Sequence, residues 1–143
     1  MVDYLYGRGV SKALPKEGIR LVYSRRSGRV KLVYIGEMLF ATVKPNGSMA
    51  LSLFGANVLV RSRRFLDNCV VVSDDAADFV RGGKSVFCKF VERAGKNIRP
   101  KSEVVVLDRG GRVLGVGLAV LAGKFMRQFK TGVAAKVREG LPG

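Results

Sequence analysis

Short apolar runs separated by polar turn segments make up the first part of the chain, a pattern that predicts antiparallel strands. The runs are RLVY at 20–23, RVKLVYI at 29–35, MLFATVK at 38–44 and MALSLF at 49–54. SRRSG lies between the first two, and Pro45-Asn46-Gly47-Ser48 between the last two. Proline holds its own φ at about −65°, and asparagine and glycine tolerate positive φ, so the second segment is a turn with a mechanism. GANVL at 55–59 fits a short strand or a helical turn equally well. RSRRF at 61–65 is a basic connector, after which apolar character restarts at Cys69. A domain boundary is expected near Leu66.

The second part opens with the strand CVVV at 69–72. Ser73 is placed to cap a helix, and Asp74 and Asp75 suit its positive end. Ala76, Phe79 and Val80 follow at helical spacing, and Gly82-Gly83 supplies a stop. Strands are then expected at Val86–Val91, at EVVVLD (103–108) and at RVLGVGLAVL (112–121), the last two joined by a hairpin turn at Asp108–Gly111. Phe125, Met126 and Phe129 predict a short amphipathic helix over 124–130. VAAKVR at 133–138 closes the pattern, with Val133, Ala135 and Val137 on one strand face and Ala134, Lys136 and Arg138 on the other. Phe79, Phe87, Phe90, Phe125 and Phe129 could offer stacking platforms for unpaired bases, but they lie among valine and alanine, a setting that favours core packing for most of them. The fold class is therefore α+β, with a mostly antiparallel β domain over 1–66 and a small barrel with two short helices over 67–143.

Composition adds a partner class and removes most chemistry. In 143 residues, 48% hydrophobic content is ample for a packed core. The longest apolar run, Val113–Ala122, is broken by Gly115 and Gly117 and falls short of the roughly 20 residues a spanning helix needs. No charged-then-apolar leader opens the chain, so a soluble cytoplasmic protein is expected, with no membrane partner. Lys and Arg number 26 against 11 Asp and Glu, a net charge of +15, with a pI near 10.5. Residues 1–66 carry a net +9 and residues 67–143 a net +6. A polyanion is the natural partner, because cations that neutralise phosphates release condensed counterions. Arg25, Arg26, Arg29 and Lys31 crowd one turn, and Arg61, Arg63 and Arg64 crowd the connector; the latter group is expected to meet RNA. Histidine is absent, and Cys69 and Cys88 stand apart in apolar surroundings. That excludes Ser-His-Asp and Cys-His pairs and any His-rich or four-Cys zinc site within the chain. No catalytic residue, metal or cofactor is expected. Asp74, Asp75 and Asp78 are better explained by capping and the helix dipole than by chemistry on a nucleotide.

VVVSDDAADFVRGGKSVFCKFV, then IRPKSEVVVLDRGGRVLGVGLAVL, then FKTGVAAKVREG, in that order and spacing, resemble the PUA domain along its full length. The resemblance implies a pseudo-barrel that binds structured RNA, as in enzymes that modify tRNA or rRNA. Upstream, YGRGVSKAL, YSRRSGRVKLVY and MLFATVKPNGSMALSLFGANVL resemble the region preceding PUA in archaeal tRNA-guanine transglycosylases and related archaeosine-synthesis proteins. Those larger proteins carry a catalytic barrel with aspartates and a Cys/His zinc site, which would require more residues and histidine. The implied contacts fall on Arg81, Gly82, Gly83, Lys84 and Lys89, and on Lys130, Gly132, Lys136 and Arg138. By alternation, Lys89 is also an outward strand residue, and Gly82-Gly83 reads equally as a helix stop. The expected function is a non-catalytic module or accessory factor in RNA modification that binds tRNA or rRNA and serves a separate modifying enzyme. The alternative is a ribosome-assembly or translation-related adaptor docking a protein partner.

Overall fold

The structure is a computed structural model and describes residues 2–140. Met1 and residues 141–143, the outer ends of the two expected domains, lie outside the described residues. A short helix α1 (Val2–Tyr6) and a 3-10 turn (Val10–Ala13) precede an antiparallel meander of β1 (Ile19–Tyr23), β2 (Val30–Ile35), β3 (Met38–Val43) and β4 (Met49–Leu51). The Pro-Asn-Gly turn forms as its residues demand. Gly47 has φ 87°, the Lys44 amide donates to the Ser48 carbonyl at 2.8 Å, and the Asn46 side chain accepts from the Ser48 amide at 3.0 Å.

Where a strand was expected to run through Phe54, β4 stops at Leu51 and GANVL belongs to a helix, α2 (Leu53–Leu59). Ser52 is the reason. Its Oγ accepts the Gly55 amide at 2.9 Å and donates to the Leu39 carbonyl at 2.6 Å, so it caps the helix and pins it to β3 at once. Gly55 permits that approach, since a Cβ there would lie 2.2 Å from the Phe40 carbonyl oxygen.

After a 3-10 turn (Arg63–Asn68), the second half contributes β5 (Cys69–Val72), α3 (Asp74–Arg81), β6 (Val86–Phe87), β7 (Val91–Ala94), β8 (Glu103–Leu107), β9 (Val113–Ala119), α4 (Gly123–Met126) and β10 (Val133–Gly140). The sheet order is β6-β10-β9-β8-β5-β7, antiparallel except for the parallel β5/β8 pair. The single strand expected over Val86–Val91 is broken by a 3-10 turn at Cys88–Phe90. That turn carries the chain from one edge strand, β6, to the other, β7, so the two edges are drawn together and the sheet curls into a nearly closed barrel. The α+β class and the barrel architecture are as expected.

Other local expectations change for physical reasons. Ser73 occupies the cap position of α3, but its Oγ is buried and has no hydrogen-bond partner among the described residues; the first turn relies on Asp74 and Asp75 at the positive end instead. The helix expected over 124–130 is limited to Gly123–Met126, because of its three apolar side chains only Met126 is buried while Phe125 and Phe129 are exposed. Alternation in β10 is broken by irregularities between Val133 and Ala135 and between Val137 and Glu139, so Ala134 and Ala135 are both buried. Both cysteines are free and buried, in separate parts of the core.

The continuous apolar runs CVVV, EVVVL and RVLGV are explained by burial on two faces. Val70, Val72, Val104, Val106 and Leu114 point into the barrel with Val80, Cys88, Met126 and Ala135. Their neighbours Cys69, Val105, Leu107, Val113 and Val116 point the other way, into a second cluster with Tyr6, Phe40, Met49, Leu59 and Phe65. The upstream half is thus packed on the outer face of the barrel. An ion pair with a buried carboxylate and an exposed guanidinium reinforces the seam: Arg138 on β10 donates to Glu103 on β8 at 2.7 Å and to the Leu51 carbonyl on β4 at 2.9 Å, and Lys44 lies 3.6 Å from the same carboxylate. The Glu103 side chain is only 5% exposed.

Candidate nucleic-acid interface

The two clusters of expected contact residues are far apart in sequence and are brought together by one pairing. β6 runs antiparallel to β10, with Phe87 opposite Val133, and the Cys88 amide donates to the Gly132 carbonyl at 2.9 Å. This places the segment holding Lys84 and Lys89 beside the segment holding Lys130, Gly132 and Lys136. All four lysines are exposed, and among the described residues none takes part in an ion pair. Lys89 lies in the 3-10 turn rather than on a strand, with its ammonium 4.9 Å from the Phe90 ring centroid.

The glycines divide. α3 ends in a Schellman arrangement, in which the Gly83 amide donates to the Val80 carbonyl at 2.9 Å and the Lys84 amide to Phe79 at 3.0 Å. Gly83 has φ 84°, and the helix-stop reading accounts for it; Gly82 has ordinary backbone angles. Gly132 has φ 95° with open space around its missing Cβ, so the backbone there is approachable from solvent.

The arginines are less available than their positions suggest. Arg81 is paired with Asp78 on its own helix at 3.3 Å. Arg138, expected as an RNA contact, has its guanidinium committed to Glu103 and the Leu51 carbonyl, a role in joining the halves that the strand pattern does not show. Asp74 is 3.6 Å from Arg109, which also donates to Glu92 at 2.8 Å. That hydrogen bond holds the Glu92 carboxyl below the usual range. Burial pushes the Cys69 and Cys88 thiols up, so both stay protonated and unreactive near neutrality. Among the described residues no group of His, Cys, Asp or Glu is placed to hold a metal ion, and no helix is long and apolar enough to cross a membrane.

Two sets of surface residues were not anticipated. Phe79, Phe87 and Phe129 are 56%, 45% and 51% exposed, against the expectation of a core position; Phe125 is exposed too, and of the five only Phe90 packs against the barrel core. Phe87 lies within the β6/β10 pairing itself, and Phe79 stands on α3 one turn before the Schellman stop. Their valine and alanine neighbours fill the barrel while these rings stay exposed, a difference that local composition does not carry. The second set is Arg8 and Lys12, which line a cleft of about 860 Å³ together with Arg61, Arg63 and Arg64.

A nearly closed, six-stranded barrel with a basic face, carrying a four-stranded β unit on its outer side, is the class of module these features define. The chain belongs to the PUA-domain family, whose model matches residues 68–141. Residues 1–65 match the patch-forming domain C2 of tRNA-guanine transglycosylase. Curated relatives include the tRNA-guanine(15) transglycosylases of Pyrococcus abyssi, 35% identical over 144 residues, and of Methanobrevibacter smithii, 34% identical over 142 residues. The match takes in 100% and 99% of this chain but only 24% and 22% of those proteins, and it falls in their C-terminal region. Among solved structures, a hypothetical protein from Pyrococcus horikoshii superposes with a TM-score of 0.75 at 19% identity, over 97% of this chain and 84% of that one. A conserved PUA domain protein from Thermoplasma acidophilum gives 0.67 at 19% identity, over 92% and 83%. These two show the fold.

Proposed function

We propose that this chain is an RNA-binding module, with tRNA as its foremost ligand, that contributes binding rather than chemistry to RNA modification by a separate enzyme. The observation that supports the reading is the β6/β10 pairing, which brings the segment bearing Lys84, Phe87 and Lys89 beside the segment bearing Lys130 and Lys136, all five side chains being exposed. Ammonium groups suit phosphates, and exposed rings suit unpaired bases. Membership of the PUA family and likeness to the C-terminal part of tRNA-guanine(15) transglycosylases point to the same ligand. Arg81 and the backbone at Gly83 and Gly132 border the surface and complete the proposed contact set. We take residues 1–66 and 67–143 as its two domains, joined near Leu66.

Titration of labelled tRNA by fluorescence anisotropy at several salt concentrations tests this. The expected result is binding whose log K falls linearly with log salt, by about 0.7–0.9 per phosphate neutralised. Lys84→Gln/Lys130→Gln/Lys136→Gln should weaken it and make the slope shallower by about 2–3. Absence of tRNA binding at low salt, or affinity that ignores salt, would sink the proposal.

A further inference from the structure

The cleft lined by Arg8 and Lys12 is built by two segments that are distant in sequence. On one side, α1 leads through Gly7 and Gly9, with φ 122° and 86°, into the 3-10 turn that carries Lys12. Asp3 clips this segment shut by accepting the Ser11 amide at 2.7 Å, and its carboxylate is the one acidic group among the cleft's described lining residues, against five cations. On the other side, the connector after α2 brings Arg61, Arg63 and Arg64. The two walls are locked together. Arg64 Nη1 donates to the Arg8 carbonyl at 3.0 Å, Asn68 Nδ2 donates to the Tyr6 carbonyl at 2.7 Å, and the Tyr6 and Phe65 rings meet edge to face at 5.1 Å beneath the floor. Tyr6, Val10 and Phe65 are buried in the shared core.

Five cations therefore converge on a fixed concavity, and none of them joins an ion pair among the described residues. Like charges lining one concavity raise its positive potential and favour an anion within it, most strongly at low salt. At about 860 Å³ the cleft is larger than a single oxyanion needs, and the five cations make up most of its lining among the described residues, beside Asp3, Gly9, Ala13 and Ser62. Arginine forks and a lysine ammonium spread along a concavity of this size suit successive phosphodiester oxygens, read without regard to sequence.

We infer that this cleft is a second phosphate-backbone site, which holds one stretch of an RNA whose other part lies on the β6/β10 face. The inference rests on the RNA-binding reading above. The connector ends at Asn68, before β5, whereas beyond β5 the Ser73 amide donates to the Phe90 carbonyl at 2.9 Å, so the connector and the turn bearing Lys89 lie toward opposite ends of that strand. A folded RNA reaches both, and the gain is one of effective concentration as well as charge.

The test compares four forms of the full chain for tRNA binding across a salt series: wild type, the β6/β10 variant already described, a cleft variant, and a charge-matched control. The cleft variant is Arg8→Gln/Lys12→Gln/Arg61→Gln/Arg63→Gln, leaving Arg64 to hold the Arg8 carbonyl. The control, Lys16→Gln/Arg29→Gln/Arg99→Gln/Arg112→Gln, removes the same charge from exposed positions outside both sites. Circular dichroism melts confirm that each form is folded. Expected for the cleft variant are a loss of at least about tenfold in affinity and a salt slope shallower by about 3, well beyond the control. Hydroxyl-radical footprinting should then show one block of tRNA protections lost and another kept. Wild-type binding with a cleft variant indistinguishable from the control overturns the second site and leaves the RNA reading standing. No tRNA binding by the wild type overturns both.

Discussion

At the scale of single residues, the side chains that matter most to the fold are those with partners far away in sequence. Arg138 on its strand is one more outward basic residue; its engagement with Glu103, 35 positions earlier, and with Leu51 is invisible to any local pattern. Arg138→Met strips a nearly buried carboxylate of its main partner and should lower unfolding free energy by about 2–3 kcal/mol. Urea unfolding checks this, and adding Glu103→Leu should recover most of the loss, because the orphaned charge goes with it. Wild-type stability in the single variant would show the pair to be ornamental. Arg109 offers a pH-dependent counterpart at the surface. Its hydrogen bond lowers the Glu92 carboxyl, so the folded state binds protons less readily there than the unfolded chain. That contribution is complete above the ordinary glutamate range and is lost as pH falls through the lowered folded value. Arg109→Leu should therefore raise the Glu92 midpoint seen by NMR toward the ordinary value and shift acid unfolding to slightly higher pH. An unmoved midpoint would contradict the assigned cause.

Elements were legible where turn chemistry and period agreed, and illegible where a tertiary contact overrode them. β1 to β3, β5, β8 and β9 follow from short apolar runs bounded by glycine and polar turns. α2 was not separable from a strand, since its helical start depends on Ser52 reaching back to Leu39, and Gly55 is needed for an approach that only the folded chain creates. The break between β6 and β7 is set by which edge each strand joins, a property of the closed sheet rather than of VFCKFV. The same limit applies to the surface: the lysines of the candidate face were readable through resemblance, but the outward turn of Phe79, Phe87 and Phe129 was not, because apolar side chains give the same signal on either side of a wall. If these rings stack on unpaired bases, Phe87→Ala and Phe129→Ala should each cost about 1–3 kcal/mol in binding a tRNA with single-stranded ends. The salt slope should barely move, in contrast to the lysine variants. Equal loss for a fully duplex RNA of similar length would argue against stacking.

For the whole molecule, the continuous apolar runs pose a question that alternation alone does not answer, namely what covers the outer face of β5, β8 and β9. The upstream half covers it: Cys69, Val105, Leu107, Val113 and Val116 are buried against Phe40, Met49, Leu59 and Phe65 rather than in the barrel. Uncovering side chains of this size costs roughly 1.5–3 kcal/mol each, and five of them approach the whole 5–15 kcal/mol by which a domain is stable. The two halves should therefore behave as one cooperative unit although two family models meet near their junction. Residues 67–143 expressed alone are expected to aggregate or to give a poorly dispersed NMR spectrum without a sharp melt, whereas the full chain melts in a single transition. Adding residues 1–66 in trans should restore dispersion in part, as the exposed face regains its cover. A fragment that melts cooperatively within a few degrees of the full chain would show that the outer face tolerates water. In that case the seam, with Arg138 and Glu103 across it, would be an interface between independent domains, and the cleft and the β6/β10 face would no longer be held at a fixed separation.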